Sequence, residues 1–120
     1  MWRATVITLF PEFFPGPLGH RMAGRALKNG LWSLDVCPMR PYGVGRHHTV
    51  DGPPVGGGPG MVLRPDVVAA SLDSILHQEN AHGPRPCFLL SPRGLRLTQE
   101  HVRNCIQKLQ EYQEIPDYWE

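Results

Sequence analysis

"RATVITLF", Arg3–Phe10, is the stretch whose reading decides the fold. Thr5, Val6, Ile7 and Thr8 are β-branched, which suits a pleated, half-buried surface, and Pro11 ends the run, so it reads as a buried strand rather than a helix. "PEFF" then turns the chain through a short helical piece with Pro11 at its first position. "LGHRMAGRALKNG", residues 18–30, sets Leu18, Met22, Ala26 and Leu27 on one helical face and stops at Asn29-Gly30. "LWSLDVCPM", residues 31–39, returns as a second strand through Leu31, Trp32, Leu34 and Val36 and ends at Pro38. Strand, helix, strand opens an α/β domain.

Further along, residues 41–60 form an irregular segment rich in glycine and proline, long enough to be functional or disordered. "RPDVVAASLDSILHQE", residues 64–79, resumes helical spacing, with Val67 or Val68, Ser71 or Leu72, Ile75 and Leu76 as its buried stripe. A polar link at 80–86 leads to "CFLLSP", residues 87–92, expected as a compact strand broken at Pro92. "LTQEHVRNCIQKLQEY", residues 97–112, reads as a last helix capped by Thr98, with Val102, Ile106 and Leu109 inward. No repeat or boundary divides the chain, so one domain over 1–120 is expected.

Composition narrows the class. A chain of 120 residues that is 41% hydrophobic and 19% charged suits one modest packed domain. No apolar run approaches the roughly 20 residues of a membrane span, and the amino terminus has no cleavage pattern, so a cytoplasmic protein away from membranes is expected. Cys37, Cys87 and Cys105 are widely spaced, which disfavours a disulfide scaffold or zinc ribbon and favours buried thiols. Eleven of the twelve Lys and Arg and seven of the eleven Asp and Glu fall in residues 1–104, net +4, which leaves −3 for residues 105–120. A mildly basic body with an acidic tail is compatible with an anionic partner.

Most familiar chemistries fail on spacing. Neither a P-loop nor a dinucleotide fingerprint follows the first strand, and Ser91 lacks the hydrolase elbow. His47 and His48 are adjacent and have no nearby ligand set, so no metal is expected. Two segments survive. "FLLSPRG" would place an open turn at the carboxyl end of a strand, where α/β proteins bind ligands, although an ordinary strand-to-helix turn reads equally well. "GRHHTVDGPPVGGGPGM", residues 45–61, combines Arg46, which suits phosphate, with Asp51, which can accept hydrogen bonds from an amine-bearing ring. Its glycines allow close backbone approach, while its prolines limit slack.

"LFPEFF", "GRALKNGL", "RHHTVDGPPVGGGPGM" and "LLSPRG" occur in an order and spacing that resemble the bacterial tRNA (guanine-N1)-methyltransferases, the TrmD family, from Met1 to about Asn104. The resemblance implies the amino-terminal portion of a SPOUT-type α/β knot domain, a parallel sheet with flanking helices, in a cytoplasmic homodimer. It implies methyl transfer from S-adenosylmethionine to N1 of the tRNA guanine on the 3′ side of the anticodon. Leu89, Leu90, Ser91, Pro92, Arg93 and Gly94 would form one wall of the cofactor pocket. Asp51, with Arg46, would lie by the guanine, and Gly56, Gly57, Gly58, Pro59 and Gly60 would shape their loop. The knot-forming segment, with its Tyr-Glu-Gly and second glycine-rich loop, has no match in "CIQKLQEYQEIPDYWE", and the family's catalytic Asp and Arg fall outside this sequence too. A truncated methyltransferase domain with a divergent acidic tail at 105–120 is the expectation, with little or no rate by itself, since the guanine N1 proton needs a base. The alternative is a non-catalytic remnant or interaction module from the same family.

Overall fold

In the computed structural model, residues 2–78 and 86–113 are described. Strand β1 (Trp2–Thr8) and strand β2 (Trp32–Pro38) pair in parallel, with Trp2 opposite Trp32, Val6 opposite Val36 and Thr8 opposite Pro38. Helix α1 (Arg21–Lys28) is the crossover between them. Because strand side chains alternate, Trp2, Ala4 and Val6 share one face with Trp32, Leu34 and Val36, while Arg3 and Thr5 share the other with Ser33 and Asp35. Arg3 donates from Nε to Asp35 at 2.9 Å on that polar face.

The apolar face is closed in part by α1. Trp32 donates its indole N–H to the Ala23 carbonyl at 3.0 Å, and the rings of Trp2 and Trp32 lie 5.8 Å apart at 53°. Gly24 is the buried residue of α1, and a methyl group there would collide with the Gly19 carbonyl. The helix therefore turns in a different face from the one its spacing suggested. Ala23, Gly24, Ala26 and Leu27 are sheltered, Met22 is 79% exposed, and Leu18 belongs to a 3₁₀ turn at Gly16–Gly19 rather than to the helix. Close backbone approach at Gly24 outweighed the burial of one more long side chain. The turn after β1 is a 3₁₀ piece, Pro11–Phe13, as its proline implied.

A second centre of packing lies beyond the end of β1. Met39, Val50 and Val67 are buried together, with Ile7, Leu9, Tyr42 and Val68 against them. Val67 comes from helix α2 (Pro65–Gln78), whose inner stripe is Val67 and Ser71; Val68, Leu72 and Ile75 are half-buried and Leu76 is exposed. Ser71 is tolerated at zero exposure because its hydroxyl donates to the Val67 carbonyl at 2.6 Å.

The chain divides into two compact units, Met1–Glu79 and Asn80–Glu120. In the second, the strand expected at 87–92 does not form; residues 86–97 carry a turn but no ladder, and Phe88, Leu89 and Leu90 are exposed. An apolar run becomes a strand only when a neighbour takes its backbone hydrogen bonds, and no described residue does so. Cys87 is exposed, which corrects the expectation of a buried thiol, while Cys37 and Cys105 are half-buried. Helix α3 (Gln99–Gln113) begins as expected, with Thr98 accepting the His101 N–H at 3.3 Å. Its inner stripe includes Val102 and Cys105, while Ile106 is half-exposed. The link at 80–85, the side chain of Leu109 and the tail beyond Gln113 lie outside the described residues.

Candidate functional site

The segment at 41–60 is built from two successive turns. After a 3₁₀ turn at Arg40–Tyr42, Val44 and Thr49 exchange both backbone hydrogen bonds, at 2.9 and 3.0 Å, and the His48 N–H reaches the Gly45 carbonyl at 3.2 Å. Arg46 and His47 sit at the tip of this small hairpin and are exposed. Gly43 must be glycine, because a methyl group there would run into the His48 carbonyl. The sequence offered His48 only as one of two adjacent histidines without a ligand set; it has φ +50 and is part of the turn. The signal was available in Gly43 and Gly45 flanking one valine.

The second turn is pinned at its neck. Asp51–Gly52 (β3) pairs antiparallel with Val62–Leu63 (β4), and the Arg64 N–H extends the ladder to the Val50 carbonyl at 2.9 Å. Val50 is buried while Asp51, the next residue, faces the other way and is half-exposed. Its carboxylate has no hydrogen-bond or ion-pair partner among the described residues. The neck thus delivers a carboxylate with its acceptor capacity unspent.

Beyond the neck, residues 53–61 project. The Gly57 N–H closes a turn on the Pro54 carbonyl at 3.1 Å. Gly56, Gly57, Gly58 and Gly60 all have positive φ, between +87 and +116, and nothing lies near enough to any of them to crowd a side chain. Backbone handedness, not space, is what requires glycine here. Pro59 stands between the last two.

Arg64 and Asp66 brace the far side of the neck. Their side chains meet at 3.1 and 2.8 Å, and Asp66 also accepts the Val67 N–H at 3.0 Å at the start of α2. The hydrogen bonds from Arg64 hold the Asp66 carboxyl below the usual carboxylate range, and the same pairing raises the guanidinium. Sequence reasoning missed this pair; Arg-Pro-Asp at a helix start was the available sign.

In the second unit, Ser91, Pro92, Arg93 and Gly94 make a tight turn, with the Gly94 N–H on the Ser91 carbonyl at 3.0 Å and the Arg93 N–H on the Ser91 hydroxyl at 3.2 Å. Leu89 and Leu90, 85% and 93% exposed, lead into it. Their backbone groups have no hydrogen-bond partner among the described residues. Apolar side chains beside unpaired amides and carbonyls can take a ligand that offers both an apolar surface and polar edges.

A solved structure described as a tRNA (m1G37) methyltransferase from Aquifex aeolicus superposes with a TM-score of 0.69 over 87% of this chain and 45% of its own, at 26% identity. The fold class is therefore the one expected, the α/β fold of such a methyltransferase. The family described as tRNA (Guanine-1)-methyltransferase TrmD matches residues 2–114, ten residues past the Asn104 limit that the resemblance suggested, and this chain belongs to it. A tRNA (guanine-N(1)-)-methyltransferase of Bradyrhizobium diazoefficiens is 55% identical over 101 residues, which are 84% of this chain and 40% of that protein. One from Zymomonas mobilis is 51% identical over 100 residues. The chain thus spans about 40% of the length of the curated relatives it matches.

Proposed function

We propose that this chain supplies the guanine-side loop and one wall of the cofactor site of a tRNA (guanine-N1)-methyltransferase. Bound S-adenosylmethionine would bring the methyl group on a positively charged sulfur. Leu89 and Leu90 would cover its adenine, the turn at Ser91, Pro92, Arg93 and Gly94 would set its depth, and residues 1–120 would act as one domain, in the cytoplasm, with a second copy completing a homodimer. Asp51 would accept from the guanine's N–H groups, which carry the hydrogens its free carboxylate lacks, and Arg46 would hold a neighbouring phosphate. Gly56, Gly57, Gly58, Pro59 and Gly60 would fix where the loop stands. No role in taking the N1 proton is assigned to Asp51. The observation that carries the reading is the family match over 2–114 together with a loop whose backbone is fully specified.

Addition of millimolar S-adenosylmethionine to isotope-labelled chain should move the amide resonances of Leu89, Leu90, Arg93 and Gly94. Perturbation confined to other segments, or none, overturns the reading. A second reading, a module that associates with a copy of itself or a longer partner, is favoured by one feature: both outer edges of the β1–β2 sheet are unpaired among the described residues.

A further inference from the structure

The outward face of α1 carries Arg21, Arg25 and Lys28, spaced four and three residues apart and so on one side of the helix. All three are exposed, and none has a side-chain hydrogen bond or ion pair among the described residues. The opposite side of α1 is fixed against the protein at Gly24 and Ala23, so this face has no freedom to turn inward. The helix has no acidic residue, and Asp35, which pairs with Arg3, is on the other face of the sheet.

Helix stability explains only part of this. Cations favour a helix carboxyl end, which accounts for Arg25 and Lys28, but Arg21 stands at the amino end, where the helix dipole opposes it. Arg21 also has φ +53, a left-handed conformation that costs a non-glycine residue energy. It is unfavourable on both counts, yet it completes a row of three positive groups about 10 Å long at 1.5 Å per residue.

We infer that this row is a phosphate-contacting surface for folded RNA. Guanidinium groups match phosphate oxygens in pairs, and a row of this length reaches more than one phosphate of a backbone. An anionic membrane fits less well, since Met22 is the one exposed apolar side chain of this eight-residue helix, while Ala23, Ala26 and Leu27 are sheltered. The choice of RNA rests on the tRNA reading above; the surface is separate from the loop and turn described there.

The test is binding of unmodified tRNA transcript, of a short RNA duplex and of anionic vesicles to the 120-residue chain across a salt series. The triple variant Arg21→Gln, Arg25→Gln, Lys28→Gln, checked for folding by circular dichroism, should bind tRNA and duplex at least tenfold more weakly. The slope of log affinity against log salt should become shallower by about 2 to 3, since each phosphate contact contributes about 0.7 to 0.9. If the triple variant does not fold, Arg21→Gln alone should remove about one such contact from the slope. A folded variant with unchanged affinity and slope overturns the surface and leaves the tRNA reading standing. Binding to vesicles but not RNA, or no RNA binding by the unaltered chain, also overturns it; the cofactor experiment above, which does not involve α1, then judges the methyltransferase reading separately.

Discussion

The hydroxyls of Tyr42 and Ser74 lie 2.6 Å apart, joining residues 32 positions apart in sequence. Ser74 donates its own hydrogen to the Ser71 carbonyl at 3.1 Å, so Tyr42 is the donor to Ser74. The bond ties the turn that launches the 45–61 segment to the helix that follows it. Tyr42→Phe should cost about 1 kcal/mol in urea unfolding, the usual net value of such a bond. A double-mutant cycle with Ser74→Ala should show coupling of the same order; additive losses would mean that the contact does not carry the tie.

Val67 is the most enclosed apolar side chain described, 1% exposed between Met39 and Val50. Val67→Ala should lower stability by about 2 kcal/mol through lost burial and an unfilled space. Because this cluster seats the neck at Asp51, the variant should also broaden the amide signals of Asp51 and Gly52. Unchanged denaturation would sink the assignment of this cluster as the core.

Gly43→Ala should be far worse than its size suggests. The added methyl meets the His48 carbonyl, a backbone group that cannot swing aside. Loss of the cooperative melt, or a fall of several degrees, is expected, whereas Gly52→Ala, at a position with open space and no positive φ, should melt near the unaltered chain. Equal melting of the two variants would contradict the hairpin.

Asp66 gives the pH dependence a direction. Its carboxyl is held below the ordinary range by Arg64, so the folded form binds its proton less readily than the unfolded chain does. The stability it contributes is therefore complete above the ordinary carboxylate pKa of about 4 and is lost as pH falls through the lower folded value. Both groups are solvent-exposed, so the effect should be small and should shrink in high salt. Asp66→Asn should flatten the acid limb; an unaltered limb would show that other carboxylates set it.

The β1–β2 sheet leaves two strand edges unpaired among the described residues, and Trp2 and Leu18 are partly exposed beside its apolar face. Sedimentation velocity should show species larger than a 13.5 kDa monomer. A single monomeric boundary at high concentration would count against this.

Elements with strong local signals were readable from sequence. β1 announced itself through a β-branched run closed by Pro11, β2 through alternating apolar residues ended at Pro38, α2 through its Pro65 start, and α3 through Thr98. What failed needed knowledge of partners. "CFLLSP" has strand composition without a neighbour among the described residues to complete it, and α1 rotated because Gly24 could approach Gly19 more closely than any stripe of large residues predicts. The order within residues 43–52 escaped because it is made of backbone hydrogen bonds, which leave little mark on hydropathy. Asp51 and the glycines after it were visible as chemistry, whereas the neck that presents them was not.

The four positive-φ glycines between Pro54 and Met61 mean that the shape of this loop is stored as chirality rather than as mass or charge. An L-alanine at Gly57 fights the backbone, but its mirror image does not, so D-alanine introduced there by chemical ligation should keep the loop and stiffen it. Substitutions judged by size or polarity would look harmless at these positions and still deform the loop.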